Sequence, residues 1–307
     1  MERQTGWQFL DDRGHMATAD RRPVRVVAYV QAGATLFDHG IRPVALYGSH
    51  HDAAGPDRTK TGALPLEGIA YLGSGAALGA DVLLGTRPDL VLAVSYGGGQ
   101  VYGLAPETAK QVEERVPLVV LDVGPGRALA DVRTRFTALA RALGAGESDS
   151  GAAALGHAAD RLRAAARRCV APPVVLALSP ASADGAHLAK PASWPDLREL
   201  TGLGLHLVAP EGGPSSNWFT TDWSYVARAE PRVVLVDVRA NAYPLAALRD
   251  DTAWRAAVAG AVIVPWNPEA PCSEAAHARF FDEVADAVEA CRNGGSGGVR
   301  GPEGAGG

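Results

Sequence analysis

The feature that most constrains this chain is an alternation. Short apolar runs, several rich in Val and Leu, are followed by stretches with helical spacing, and Gly or Pro separates one from the next. In the first half the apolar runs fall at 24–30, 43–47, 88–94 and 117–123, with helical patterns at 32–39, 106–115 and 127–143. Runs without polar alternation mark strands covered on both faces, which means parallel sheet with helices on each side. Pro106 suits a first helical turn and Gly40 suits the position just past a helix end. The pattern pauses at 144–151, a small polar break, and a further Ala-rich helical stretch follows at 152–168. After Pro172-Pro173 the alternation restarts. Strands are expected at 174–178, 205–208, 232–238 and 261–264, and helices at 194–201, 223–229, 252–257 and 274–290.

The length of 307 residues is comfortable for two such units. The predicted fold class is therefore α/β: two Rossmann-like lobes with mainly parallel sheets, joined by a long rigid helix, with a ligand cleft between them. The expected boundaries are an N-terminal lobe over 1–147, an inter-lobe helix over 148–171, a C-terminal lobe over 172–292 and a Gly-rich, disordered tail over 293–307.

Composition narrows the function classes. The net charge of −5 has both signs scattered, so no basic face is marked for nucleic acid. No apolar run reaches the roughly 18–20 residues that span a bilayer. The three cysteines, Cys169, Cys272 and Cys291, form no CxxC pair, so neither a zinc ribbon nor a dithiol redox motif is indicated. The opening residues are polar and carry no export signal or lipid-bearing cysteine, which predicts a cytoplasmic location if the chain is complete.

The order of the pieces resembles the helix-linked solute-binding proteins that serve ABC importers of ferric siderophores, haem and cobalamin. The likeness covers residues 7–291. Asp11-Asp12-Arg13-Gly14, then Arg22-Pro23-Val24-Arg25-Val26-Val27, is similar to that family's opening hairpin and first strand. Gly40-Ile41-Arg42-Pro43-Val44 is similar to its second strand. Arg87-Pro88-Asp89-Leu90-Val91 resembles its Pro-Asp strand opening, and Glu230-Pro231-Arg232-Val233-Val234 takes the equivalent place in the second lobe. The resemblance implies binding without chemistry, a ligand held between lobes, no cofactor, a monomer and an extracytoplasmic, membrane-associated location. A ferric chelate, cobalamin or haem would be the ligand. It also implies docking on an ABC permease through one acidic residue per lobe, seven positions before the Pro. Asp81 fills that place in the first lobe, whereas the second lobe has Ser224, with Asp222 two residues earlier.

Loops at the C-terminal ends of strands supply the candidate ligand contacts. They are Gln31 after the first strand, Tyr47 and His50 after the second, and Tyr96, Gln100 and Tyr102 around Gly97-Gly98-Gly99. In the second lobe they are His187, Trp218, Arg239, Asn241 and Trp266, with Ser179, Lys190, Asn217 and Asn267 nearby. Arg239 is the expected anion anchor, because a guanidinium pairs with oxygens in a forked geometry. Trp218 and Trp266 would give flat walls, whereas Trp194 and Trp223 read as core. Adjacent His50 and His51 point to opposite sides of an extended segment, so metal chelation is not expected. Two other readings stay open. One is a cytoplasmic carrier or sensor. The other is a serine hydrolase in which Ser95, within Ala93-Val94-Ser95-Tyr96-Gly97, attacks with His187 as base.

Overall fold

A computed structural model describes residues 6–52, 55–146, 150–169 and 171–292. The tail expected over 293–307, and part of the break at 144–151, lie outside the described residues.

The first lobe opens with a hairpin, β1 (Trp7–Leu10) and β2 (Met16–Ala19), turned at Asp11-Asp12-Arg13-Gly14. Then come β3 (Val26–Tyr29), α1 (Val30–Asp38), β4 (Ala45–Gly48), β5 (Ala70–Ser74), α2 (Ala80–Gly85), β6 (Leu90–Ser95), α3 (Pro106–Glu113), β7 (Leu118–Asp122) and α4 (Leu129–Ala142). The β3–β7 sheet runs in the order β5-β4-β3-β6-β7 and every pairing is parallel. Counted from its first strand this is 3-2-1-4-5, the doubly wound order. Its switch point, where ligands bind in such folds, lies between β3 and β6.

After α5 (Ser150–Arg167) the second lobe runs β8 (Val174–Ser182), β9 (Gly185–Ala189), α6 (Pro195–Gly202), β10 (His206–Leu207), β11 (Trp218–Asp222), α7 (Trp223–Arg228), β12 (Val233–Asp237), α8 (Leu245–Leu248), α9 (Thr252–Ala257), β13 (Val262–Trp266) and α10 (Glu274–Arg292). Its strand order is β11-β9-β8-β12-β13, with β10 beside the start of β8. The β10, β8, β12 and β13 pairings are parallel, whereas β9 and β11 are antiparallel. The sheets are mainly parallel as expected, but the antiparallel strands β9 and β11 of the second were not anticipated from the sequence.

Local chemistry sets the element ends. The Asp222 carboxylate accepts from the Tyr225 amide at the start of α7, and Asp251 does the same for Trp254 at the start of α9. Gly40, at φ +83, closes α1. α2 and α7 end instead on Arg87 (φ 51) and Glu230 (φ 47), non-glycine residues in the left-handed region that each precede a proline. The two strand openings therefore repeat in backbone conformation as well as in sequence.

Two cores form. Val26, Val27, Leu92, Val119 and Phe136 belong to the first, and Leu162, Leu197, Leu235, Phe281 and Val284 to the second. α4 reaches both: Val132, Phe136 and Leu139 pack in the first and Leu129 in the second. From the same helix Arg133 bonds Glu199 at 3.4 Å and His277 at 3.5 Å. α5 lies along α10, placing Ala158, Leu162 and Ala165 in the second core.

Candidate functional site

The lobes meet through a chain of charges. The Arg58–Lys60 turn carries Lys60, fully buried, into the junction. Its Nζ lies 2.9 Å from Asp52 Oδ1 and 3.1 Å from Oε2 of Glu269, which sits in the loop after β13. Glu269 Oε1 receives Nη1 of Arg239 at 2.7 Å, and Arg239 in turn grips Asp237 at the end of β12 at 2.8 Å. The Tyr29 hydroxyl, at the end of β3, also donates to Glu269. Neighbouring bonds reinforce the seam. Gln31 donates to the Ala270 carbonyl at 2.9 Å, Asn267 to the Thr59 carbonyl at 2.6 Å, and the Ala240 amide to Asp57 at 2.8 Å. Isolated buried charges are costly, and here each has an opposite charge within reach.

Above this seam lies a cavity of about 770 Å³, between the strand ends of both sheets. That is within the range for small-molecule sites. The first-lobe wall holds Gln31, His51, Tyr96 and Tyr102. The glycine run makes it possible. Gly97, Gly98 and Gly99 all have positive φ, so the chain doubles back and Tyr102 returns its amide to the Val94 carbonyl at 2.9 Å. The Tyr96 and Tyr102 rings then meet edge-to-face at 4.7 Å. Burial raises the pKa of both phenols, and the Glu269 charge adds to it. They are neutral hydrogen-bond donors, not phenolates.

The facing wall is built of tryptophans. Trp194 lies 5.0 Å from Trp218 and 5.5 Å from Trp266, and the last two are 6.0 Å apart. Trp218 sits on β11 opposite Ala189 of β9, and Trp266 ends β13. Trp266 Nε1 donates to Asp196 at 2.6 Å, and Trp194 Nε1 to the Asn217 carbonyl at 3.2 Å. Burial pushes the Asp196 carboxyl up to about 6, against the lowering effect of the Trp266 and Leu197 hydrogen bonds.

Of the expected contacts, the fold brings Gln31, Tyr96, Tyr102, His187, Trp218, Arg239, Asn241 and Trp266 to this cavity, together with Ser179, Asn217 and Asn267. Four others lie elsewhere. Tyr47 is wholly buried in the first core, because β4 carries it beneath the sheet end, against Tyr29. His50 is exposed and outside the cavity lining, which its neighbour His51 joins instead; the two imidazoles lie 3.8 Å apart between ring centroids, so they do not point to opposite sides as expected. Gln100 lies beyond the glycine run and is exposed. Lys190 is spent on the Gly212 and Ser215 carbonyls, both at 2.7 Å. Arg239 lines the cavity, but its donors are engaged by Asp237 and Glu269, so it is no free anion anchor.

Trp194 and Trp223 are both in a core as expected, but Trp194 stands just before α6, not inside a helix, and also lines the cavity. Glu269, Lys60 and Asp196 escaped the sequence reading. Pro195-Asp196 after a tryptophan has the chemistry of a helix start, a usable signal, but nothing local marks Lys60 and Glu269 as partners.

Ser95 is buried at the end of β6, bonded to the Gly97 carbonyl at 3.1 Å. His187 sits on β9 of the other lobe with Nδ1 2.8 Å from the Thr220 hydroxyl. The fold does not join them as nucleophile and base. Asp81 projects from the first turn of α2, fully exposed, and Ser224 occupies the matching place in α7, with the exposed Asp222 just before the helix. No group of three or more His, Cys, Asp or Glu among the described residues is arranged to hold a metal. None of the described helices is long and apolar enough to cross a membrane.

Two outcomes are expected. Lys60→Met strands the Asp52 and Glu269 charges and costs about 3–5 kcal/mol in urea unfolding, whereas Lys110→Met on the exposed face of α3 stays within about 0.5 kcal/mol. Asp196 has a folded pKa above its unfolded 3.8, so its favourable contribution is complete below that value and is lost as pH rises through about 6. Wild-type stability should therefore drop, relative to Asp196→Asn, by on the order of 2 kcal/mol between pH 4 and 7, read from denaturation midpoints across that range.

No protein-family model matches the chain, and no curated protein matches its sequence. Solved structures do match. DesE, a ferric-siderophore receptor protein of Streptomyces coelicolor, is 26% identical with a TM-score of 0.81, over 92% of this chain and 98% of that one. The Fe3+–Desferal-bound siderophore binding protein FhuD of Vibrio cholerae gives 17% identity and 0.62, over 88% and 99%. A periplasmic heme binding protein of Pseudomonas aeruginosa gives 18% and 0.62, over 88% and 93%. The chain has the fold of the two-lobed solute-binding proteins for siderophores and haem, the class its sequence resembles.

Proposed function

We propose that this protein binds a ferric siderophore in the inter-lobe cavity, as a preformed chelate of low net charge such as a ferric hydroxamate, for delivery to an ABC importer outside the cytoplasm. The observation that carries this is the cavity's make-up: two facing aromatic walls around a space whose charges are nearly balanced. Asp196, Glu269 and Glu283 line it against Arg239 and Arg279, and Arg239 is already neutralised by two carboxylates. A catecholate chelate or a haem with ionised propionates would bring several negative charges to a place that offers them little. A neutral or singly positive chelate meets no such cost, and tryptophan faces attract cationic groups. The protonated phenols of Tyr96 and Tyr102 favour hydrogen bonding to chelate oxygens over direct ligation of iron. The likeness to DesE and FhuD supports the same reading.

Docking on the importer would use Asp81 in the first lobe and Asp222, in place of the position held by Ser224, in the second. Both carboxylates stand at the start of corresponding six-residue helices.

Titration with a ferric trihydroxamate should quench the intrinsic fluorescence, because three tryptophans border the cavity, with micromolar or tighter affinity. Trp218→Ala should weaken binding by about tenfold or more, the loss expected for a buried aromatic contact. Asp81→Lys and Asp222→Lys should leave that affinity unchanged and lower uptake by cells. A ferric tricatecholate or haem that binds more tightly than the hydroxamate would overturn the proposed ligand class.

A further inference from the structure

α5 and α10 lie side by side in parallel, and their register can be followed from end to end. Near their beginnings Gly151 faces Glu274, a Cβ on the glycine standing 3.2 Å from the glutamate Cβ. Midway, Arg161 bonds Asp282 at 3.2 Å and Glu289 at 3.0 Å, and also Asp286. Near the ends, Arg168 lies 4.0 Å from Glu289. The partner of each α5 position thus sits about 122 residues later at both ends, an offset that sets Cys169 beside Cys291.

The buried stripes agree. Ala158, Leu162 and Ala165 continue to Cys169 at spacings of four, three and four. Phe281, Val284 and Val288 continue to Cys291 at three, four and three. Both cysteines pack, half-buried, against the second core. Cys291 Sγ donates to the Arg232 carbonyl at 3.0 Å and Cys169 Sγ to the Ala165 carbonyl at 3.5 Å. Burial raises the Cys291 thiol, and Cys169 is near enough to add to that rise. The third thiol, Cys272, is buried beside Gln31 in the inter-lobe seam and takes no part.

We propose that Cys169 and Cys291 form a disulfide that staples the end of α10 to the end of α5 when the protein meets a disulfide oxidant. The thiolate of one cysteine attacks the oxidant's disulfide and expels one thiol. The other thiolate then attacks the mixed disulfide, forms the Cys169–Cys291 bond and expels the second. Two protein thiols are oxidised, one oxidant disulfide is reduced to two thiols, and the two protons leave with them. The closed loop of about 120 residues contains all the strands of the second lobe. Long loops give the largest restriction of the unfolded chain.

The test is incubation of the native-sequence protein with oxidised glutathione, followed by thiol counting under denaturing conditions, non-reducing peptide mapping and thermal melts. The expected result is one remaining thiol, at Cys272, a Cys169–Cys291 linked peptide, and a melting temperature about 5–10 °C above that of the reduced protein. Cys169→Ser and Cys291→Ser should each abolish the linked peptide and the shift. Three persistent thiols, separate glutathione adducts at Cys169 and Cys291, or a linked peptide containing Cys272 would overturn the proposal. None of these readouts depends on which ligand the cavity takes.

Discussion

The carboxylate of Glu269 holds donors from both lobes at once: Lys60 and Tyr29 from the first, Arg239 from the second. Removing so many charged groups from water is expensive, and the cost is offset only while every partner stays in place. Opening the lobes by even a few ångströms would break the Lys60 pair and leave buried charges unmatched. The seam therefore favours one inter-lobe arrangement sharply over its neighbours. Pro271, the Thr35 hydroxyl bonded to the Cys272 amide, and Asp38 bonded to Ser273 extend the contact along the same loop.

A fixed seam makes a preformed cavity. The Tyr96–Tyr102 wall hangs from the ends of β6 and its glycine run, and the tryptophan wall from β11, β13 and the residue before α6. Because breaking the seam to shift these elements would strand buried charges, a ligand pays little for ordering the site, which is where affinity is commonly lost. The same network explains why Arg239 is not free. It serves the seam, and the two facing walls offer a ligand aromatic surface, amides and neutral phenols, with the few remaining charges, Asp196, Glu283 and Arg279, close to balance.

Much of this was legible in the sequence, and the reasons are particular. The runs that became β3, β6, β7 and β12 are near-continuous apolar strands, so their type was plain, and the paired Arg87-Pro88 and Glu230-Pro231 openings marked the internal repeat. β9 and β11 were missed because Gly185–Ala189 contains a single large aliphatic residue and β11 reads as aromatic and Thr, polar enough to pass for loop. Asp184-Gly185 was the available hairpin signal. Strand ends gave the right neighbourhood for Tyr96, Trp218 and Trp266. The choice between His50 and His51, and the fate of Tyr47, depended on how the chain turns after β4, which local pattern does not encode. The Lys60–Glu269 pair, separated by about 200 residues, is a product of tertiary folding alone.

A crystal structure of the protein with a ferric trihydroxamate bears on all of this at once. The chelate is expected between the Tyr96–Tyr102 and Trp194–Trp218–Trp266 walls, with the Lys60–Glu269–Arg239 contacts at their present distances. A chelate bound outside that space, or bound only after the seam has come apart, would contradict this expectation.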